Sequence, residues 1–187
     1  MKILALCIAT LLAFGASARA ASPVDVAIQT SLGTIVVRID TSHAPLTAKN
    51  FLHYVDNGTY NHTTFYRTVS RANEPQSAIE VIQGGLGGRA AANPTIPLEP
   101  TSRTGLHNTD GAIAMARTRD PDSANTEFFL CIGDNRFLDA GGPTGPGYAA
   151  FGKVIRGADI VRAIQNAPSS GETLTPPVRI LKMTRLH

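Results

Sequence analysis

The sequence predicts a mainly β protein, either a β-sandwich or a closed β-barrel, with two α-helices. About eight short segments have strand patterns, and the 17 glycines and 12 prolines are scattered between them, as turns between short strands require. Two further segments follow helical spacing. Many short strands separated by turns are typical of sandwiches and barrels. The length of 187 residues predicts one domain with a short appendage.

The first 20 residues predict a signal peptide. Lys2 supplies a positive charge, residues 3–14 form an apolar run too short for a comfortable bilayer span, and Ala18-Arg19-Ala20 has the small-x-small pattern of a cleavage site. We therefore expect residues 21–187 to form the mature domain, periplasmic or secreted. The alternative is an uncleaved N-terminal anchor.

The mature chain is predicted to be nearly neutral. Without Lys2 and Arg19, 15 basic residues face 14 acidic ones. This balance argues against a nucleic-acid partner, which would need a basic stripe, and no later stretch is long and apolar enough for a membrane span. Cys131 would be the single cysteine left, which excludes an intramolecular disulfide. Because it lies in an apolar run, we expect a buried structural thiol.

A hairpin and a helix are predicted at the start of the mature chain. Residues 24–28 alternate apolar and polar side chains, and residues 33–39 are rich in β-branched ones. A helix follows, with Thr41 or Ser42 as its cap and Pro45 in its first turn, where a missing N–H is tolerated. Its apolar face consists of Ala48, Phe51, Leu52 and Val55.

The remaining elements are mostly strands joined by loops. A second helix is predicted over 158–165, with Ile160, Val161 and Ile164 facing inward. Polar or glycine-rich loops are predicted at 70–76 and 133–147. The further strands are predicted at 65–69, 78–83, 112–116, 127–132, 148–155 and 178–186.

Five segments stand out in order along the chain. They are Phe65-Tyr66-Arg67, Ile82-Gln83-Gly84-Gly85, Gly111-Ala112-Ile113-Ala114-Met115-Ala116, Glu127-Phe128-Phe129 and Phe151-Gly152-Lys153-Val154-Ile155-Arg156-Gly157. In this order they resemble the cyclophilins, the cyclosporin-binding class of peptidyl-prolyl cis-trans isomerases. The resemblance spans nearly the whole mature chain and implies a closed eight-stranded antiparallel barrel capped by two helices, with the active groove on its outer face and no cofactor. Further short matches around 115–118, 137–139 and 147–149 resemble the exported bacterial branch.

Arg67 matches the catalytic arginine of that family. An X–Pro bond isomerises slowly because amide resonance raises a barrier of about 18–20 kcal/mol. A catalyst must therefore favour the twisted amide over both planar forms. Twisting localises a lone pair on the prolyl nitrogen, to which a fixed guanidinium can donate a hydrogen bond. Taken alone, Arg67 would be interpreted as a surface arginine on a strand.

The resemblance also implies a set of substrate-binding residues. A proline ring needs an apolar pocket, and Gln83 would bind the substrate backbone and help to hold Arg67. The backbone of Arg117 would pair with the residue before proline, and Ala116 would lie beneath a neighbouring substrate residue. Taken singly, the pocket residues would fit an ordinary core equally well. The pocket itself would be lined by Val81, Phe129, Leu138 and Tyr148.

The chain departs from the family pattern at three places near the site. Arg67 and Gln83 are 16 positions apart, more than the pattern implies, and the excess falls in 70–77, where it could contact substrate or cover the pocket. Glu80 stands where an aromatic pocket residue is usual. Glu127 replaces a glutamine that steadies the site, and a carboxylate there could pair with Arg67. We therefore expect reduced activity or an acid-shifted pH profile.

Phe137 stands where a tryptophan aids cyclosporin binding in sensitive members of the family. The chain contains no tryptophan. We therefore expect weak cyclosporin binding, which a titration checks; tight binding would contradict it.

These patterns predict a monomeric isomerase acting on proline-containing unfolded or loop segments of exported proteins. A non-catalytic proline-binding module or holdase on the same barrel is the second hypothesis, prompted by Glu80, Glu127 and the insertion. A hydrolase ranks last, because no Gly-x-Ser-x-Gly elbow is present. His107 and Asp110 are better explained as solvated turn residues.

Overall fold

The computed structural model describes residues 22–186, so the predicted signal peptide lies outside the described residues. Within this part, nine strands and three α-helices follow one another, and none of these helices is long and apolar enough to cross a membrane. Three 3₁₀ turns lie at Gly87–Ala92, Pro121–Ser123 and Arg136–Leu138. The elements are β1 (Val24–Thr30), β2 (Gly33–Ile39), α1 (Pro45–Asp56), β3 (Thr63–Val69), β4 (Val81–Gly85), α2 (Thr101–Thr104), β5 (Ala112–Met115), β6 (Phe128–Cys131), β7 (Ala150–Arg156), α3 (Ala158–Gln165), β8 (Ser169–Ser170) and β9 (Thr173–Arg185).

Eight of the strands close into an antiparallel barrel. The strand order is β1-β2-β7-β5-β6-β4-β3-β9-β8, and β1 also pairs with β9. The two-residue β8 pairs with β9 alone among the described strands. The closure decides between the sandwich and the barrel in favour of the barrel, and it confirms the eight-stranded fold that the resemblance implied.

The strands under the outer face are buried on both sides. In β6, Phe128 and Leu130 belong to the main core, whereas Phe129 and Cys131 belong to a second apolar cluster with Val81. This double burial explains why β6 is a continuous apolar run instead of an alternating one. Cys131 is fully buried, which confirms the predicted buried thiol, and this burial raises the pKa of the thiol well above its ordinary value.

The start of α1 differs from the prediction. The helix begins at Pro45, as predicted, but neither Thr41 nor Ser42 caps it, and Ala44 at the cap position has no side-chain acceptor to offer. Instead Glu99, which is buried, accepts hydrogen bonds from the backbone N–H of Leu46 at 3.2 Å and of Thr47 at 2.7 Å. A carboxylate at this end of a helix satisfies free N–H groups and complements the helix dipole.

Glu99→Gln is therefore expected to lower the free energy of unfolding by about 1–3 kcal/mol, because a neutral amide replaces a charged acceptor at one buried and one partly buried N–H donor. Urea unfolding of the two proteins measures the difference. Arg103→Ala is the matched control, because Arg103 lies 3.6 Å from Glu99 but its side chain is 60% exposed. We expect that control to change stability by less than about 0.5 kcal/mol. An unchanged midpoint for Glu99→Gln would contradict the capping role.

The last strand begins earlier than predicted. It was expected over 178–186 and is observed from Thr173, with β8 before it. The first part of this strand was not predicted because it contains Pro176 and Pro177, and proline lacks the N–H that β-sheet hydrogen bonding needs. The structure accommodates both prolines where the pairing with β3 is interrupted, between the pairs Phe65–Val178 and Arg67–Thr173. The four-residue α2 was also not predicted, since it is too short to show helical periodicity.

Candidate active site

A pocket of about 150 Å³ lies on the outer wall of the barrel. Eight of the ten residues predicted for the site line it, together with Ile79, which was not predicted. The other two predicted residues, Glu127 and Phe137, are described by the structure but do not line this pocket. The lining consists of Arg67, Ile79, Val81, Gln83, Ala116, Arg117, Phe129, Leu138 and Tyr148.

Strand register brings the polar and apolar parts of this pocket together. Arg67 on β3 pairs with Gln83 on β4, and Gln83 pairs with Phe129 on β6. Side chains of residues directly opposite one another in adjacent strands project on the same face. The three side chains therefore form one row across the outer wall, although they are far apart in sequence.

A β-bulge at Tyr66 sets the position of Arg67. The register of β3 shifts between Phe65 and Arg67, which pair with the consecutive residues Gly84 and Gln83. Tyr66 is thus the extra residue on its strand. Bulges commonly re-aim side chains next to functional sites, and here the bulge lets the neighbours Tyr66 and Arg67 both contact Gln83.

Two acceptors hold the Arg67 guanidinium. Its Nε donates to Glu172 Oε2 at 2.7 Å, and its Nη1 donates to Gln83 Oε1 at 2.9 Å. Hydrogen bonds between ionised partners are stronger than neutral ones. The guanidinium therefore has a defined orientation, although about a third of the side chain is exposed.

The apolar side of the pocket is built from β6 and the loop before β7. The Phe129 and Tyr148 rings meet edge to face with centroids 5.6 Å apart. The N–H of Tyr148 donates to the carbonyl of Leu138 at 2.9 Å, which fixes both residues relative to each other. The Arg117 guanidinium lies over the Tyr148 ring, 4.5 Å from its centroid, and donates to Gly147. This side chain braces the wall, and its predicted backbone role toward substrate stays a prediction.

Glu127 is linked to Arg67 only through the side chains of Tyr66 and Gln83, so the direct ion pair expected from the sequence does not form. Its Oε2 accepts from the Tyr66 hydroxyl at 2.5 Å, and its Oε1 accepts from the N–H groups of Leu86 at 2.7 Å and Gly87 at 3.0 Å. Gly85, at φ 141, makes room, because a Cβ there would lie 2.6 Å from Glu127 Oε1. The carboxylate thus lines a second groove, together with Tyr66, Leu86 and Gly87.

The Glu127–Tyr66 contact fixes the orientation of the Gln83 amide. Burial, and then the hydrogen bond to Glu127, raise the pKa of Tyr66 well above its ordinary value, so the hydroxyl keeps its proton and donates a hydrogen bond to the carboxylate. Its oxygen is then free to accept from Gln83 Nε2 at 2.7 Å. The amide oxygen of Gln83 consequently faces Arg67, as its 2.9 Å contact requires.

Glu127→Gln is therefore expected to change kcat/KM by less than about threefold and to lower the free energy of unfolding by about 1 kcal/mol, because the carboxylate accepts backbone and Tyr66 hydrogen bonds and does not neutralise Arg67. The pH profiles of isomerisation for the wild type and the variant should superimpose between pH 6 and 8. Exchange spectroscopy and urea unfolding measure both quantities. A tenfold gain in activity would show that Glu127 restrains Arg67 after all.

Glu80 does not line the pocket, which corrects the expectation of a weakened wall. Ile79 takes the wall position, and Glu80 instead accepts from Gln165 Nε2 at 3.1 Å. Adjacent residues of an extended chain face opposite ways, so a shift of one residue exchanges a carboxylate for an aliphatic side chain. None of the described inserted residues 70–77 lines this pocket.

Phe137 lies beside the pocket but outside its lining. It belongs to the 3₁₀ turn Arg136–Leu138, is 41% exposed, and is followed by Leu138, which enters the pocket. Weak cyclosporin binding stays a prediction.

His107 and Asp110 do not form a pair with each other. His107 Nδ1 lies 2.7 Å from Asp139 Oδ2, and Asp110 accepts from the N–H of Gly133. Asp139 also accepts from Asn108, so these contacts hold the turn that carries the pocket wall. Within residues 22–186, no group of three His, Cys, Asp or Glu side chains is arranged to hold a metal ion.

Three residues of the site were not predicted from the sequence. Ile79 was hidden by the insertion, which obscured the strand register. Tyr66 could have been found from its place next to Arg67 in a matching segment. Glu172 had no local signal, because it lies 105 positions from Arg67 in a turn between two strands, one of which was not predicted.

A closed eight-stranded antiparallel barrel with a pocket on its outer wall defines a cyclophilin-like protein. The sequence matches the family described as "Cyclophilin type peptidyl-prolyl cis-trans isomerase/CLD" over residues 25–185. The chain belongs to this family.

Bacterial relatives support the assignment. The chain is 42% identical to a peptidyl-prolyl cis-trans isomerase of Acinetobacter baylyi over 159 residues, covering 82% of this chain and 78% of the relative. It is 37% identical to peptidyl-prolyl cis-trans isomerase A of Dickeya dadantii over 158 residues, covering 83% of this chain and 78% of the relative.

The crystal structure of a Cryptosporidium parvum cyclophilin-type isomerase has the same fold, with a TM-score of 0.74, 22% identity and coverage of 89% of this chain and 99% of that one.

Proposed function

We propose that this protein is a peptidyl-prolyl cis-trans isomerase that acts on X–Pro bonds in unfolded or loop segments of exported proteins. The observation that carries the proposal is the oriented guanidinium of Arg67 at the rim of an apolar pocket. Membership of the family and the names of its bacterial relatives support the same reaction.

The pocket provides what the reaction needs. The wall of Val81, Phe129 and Leu138 can hold a proline ring out of water, and Arg67 supplies hydrogen-bond donors beside it. As the amide twists, the lone pair of the prolyl nitrogen becomes available, and donation to it stabilises the twisted state more than either planar state. Catalysis of this kind forms and breaks no covalent bond, so Arg67 acts as a fixed donor.

Exchange spectroscopy on an Ala-Pro peptide with residues 21–187 tests the proposal. We expect rapid cis–trans exchange at catalytic protein concentration, which an excess of an unlabelled proline peptide suppresses. Binding shifts on the peptide without faster exchange would overturn the isomerase proposal and favour a non-catalytic binding module. That alternative has one observation in its favour, since Glu172 and Gln83 already occupy donors of Arg67.

We also propose that the protein is exported with cleavage after Ala20, leaving residues 21–187 as a monomeric domain. The charged, apolar and small-residue segments at the start of the sequence support this. Expression of the full chain in a Gram-negative host, followed by N-terminal sequencing of the periplasmic fraction, tests it. We expect a chain starting at Ala21, and full-length protein retained in the cytoplasm or membrane would contradict the assignment.

A further inference from the structure

Glu172 contacts the catalytic arginine from a distant turn. It lies between β8 and β9, and its Oε2 accepts from Arg67 Nε at 2.7 Å. Gln83 accepts from Nη1 of the same guanidinium. The guanidinium is planar and its donors have fixed directions, so two acceptors on different nitrogens determine how the whole group is oriented.

The turn that carries Glu172 is itself anchored to the end of β3. The N–H of Thr68 donates to the carbonyl of Glu172 at 2.8 Å. Asn73, in the inserted segment 70–77, donates from Nδ2 to the carbonyl of Gly171 at 3.0 Å and to that of Thr68 at 2.9 Å. One inserted side chain thus bridges the strand that bears Arg67 and the turn that bears its partner.

Asn73 is also fixed within its own loop. Its Oδ1 accepts from the backbone N–H of Ser70 at 2.8 Å and from the Ser70 hydroxyl at 3.1 Å. Both ends of the amide are therefore used, which defines its orientation as well as its place. The insertion lies against the turn between β8 and β9 and the end of α3, and none of its described residues lines the pocket that it could have covered or extended.

We propose that Glu172 is a positioning residue for Arg67, and that the inserted segment holds Glu172 in place through Asn73. This inference rests on the proposed isomerase function. An arginine side chain that is about a third exposed would otherwise sample many rotamers, and ordering it during each catalytic event would cost conformational entropy. Fixing the donor before substrate arrives removes that cost from the reaction barrier.

The ion pair has an opposing effect on catalysis. The negative charge of Glu172 offsets part of the positive charge that Arg67 presents to the prolyl nitrogen. Glu172→Gln separates the two effects, because glutamine keeps an acceptor for Nε while removing the charge, whereas Glu172→Ala removes both. If orientation dominates, the glutamine variant should resemble the wild type and the alanine variant should not.

The test combines kinetics with a direct signal from the guanidinium. We expect Glu172→Ala to lower kcat/KM for the Ala-Pro peptide about fivefold, as loss of one partly exposed charge-assisted hydrogen bond implies. Glu172→Gln should stay within about twofold of wild type and Asn73→Ala should lose about two- to threefold, because Asn73 acts indirectly. In ¹⁵N spectra, the Arg67 Nε–H signal should shift in the alanine variants in proportion to the loss of activity.

Glu74→Ala is the matched control, because Glu74 is an exposed carboxylate of the same inserted segment and leaves the Glu172 and Asn73 contacts intact. It should change neither kcat/KM nor the Nε–H signal. In an Arg67→Ala background, Glu172→Ala should cause no further loss.

Several results would overturn the proposal. Activity of Glu172→Ala equal to or above wild type would show that charge, and not orientation, dominates. An equal loss in the Arg67→Ala background would show a merely structural role. If the wild type binds the peptide without catalysis, the proposed function fails. The Nε–H signal and the peptide affinity of Glu172→Ala then still decide whether Glu172 positions Arg67. If neither quantity changes in that variant, this inference is overturned as well.

Discussion

Arg67→Ala is expected to lower kcat/KM for X–Pro isomerisation by about 10²–10³-fold, the size of effect that follows when one pre-oriented hydrogen-bond donor to a reacting atom is removed. The physical reason is that Arg67 combines a fixed guanidinium with a place at the rim of the apolar pocket. Peptide binding should weaken much less than turnover, because the pocket wall stays intact. Exchange spectroscopy and a peptide titration measure the two quantities separately.

Two further variants make this result specific. Arg67→Lys keeps the positive charge but loses the planar fork that engages Glu172 and Gln83 together, so we expect most of the activity to be lost. Arg71→Ala removes a nearby arginine whose side chain is 80% exposed, and it should leave kcat/KM within about twofold of wild type, as expected for a solvated charge. Full activity in Arg67→Ala would leave the family membership standing and refute the mechanism.

Phe128→Ala is expected to lower the free energy of unfolding by about 3–5 kcal/mol. Phe128 is fully buried, and its ring centroid lies 5.6 Å from that of Phe51, 5.5 Å from that of Tyr60 and 5.7 Å from that of Phe65. Its removal leaves a cavity where α1 meets β3 and β6, and it also removes three edge-to-face ring contacts. Urea unfolding monitored by circular dichroism measures the loss.

The neighbouring residue provides the contrast. Phe129 faces the outer pocket, so Phe129→Ala should weaken peptide binding at temperatures where the protein is still folded. Phe128→Leu, which fills much of the cavity, should cost less than half of what the alanine change costs. Equal stability of wild type and Phe128→Ala would refute the assignment of this ring to the centre of the core.

The strands of the barrel could be predicted from the sequence because their signals are local. The hairpin of β1 and β2 follows from alternation and β-branched residues within 16 positions. These signals left a sandwich and a barrel open, and only the resemblance of the five segments to the cyclophilins implied the closed barrel. The structure also gathers eight of the ten predicted site residues around one pocket, while their individual roles stay predictions.

What could not be predicted depends on contacts between distant parts of the chain. Glu99 caps a helix that begins more than 50 positions before it, and Glu172 pairs with Arg67 across 105 positions. Neither carboxylate differs in its local sequence from a solvated one. The expected Arg67–Glu127 ion pair does not form either. The bulge at Tyr66 places the Tyr66 hydroxyl against Glu127, and no local sequence pattern predicts this contact.

The pairing of β1 with β9 leaves little sheet edge for another chain to join. An exposed sheet edge offers unsatisfied N–H and C=O groups to any extended segment, and this is a common route to co-aggregation. In the barrel every one of the eight strands has a neighbour on both sides, and the edge that the described residues leave is the two-residue β8. An unfolded client of the proposed isomerase would therefore not readily add to this sheet as another strand. It would meet the protein at the pocket instead, through its proline ring and the short backbone contacts predicted for Gln83 and Arg117.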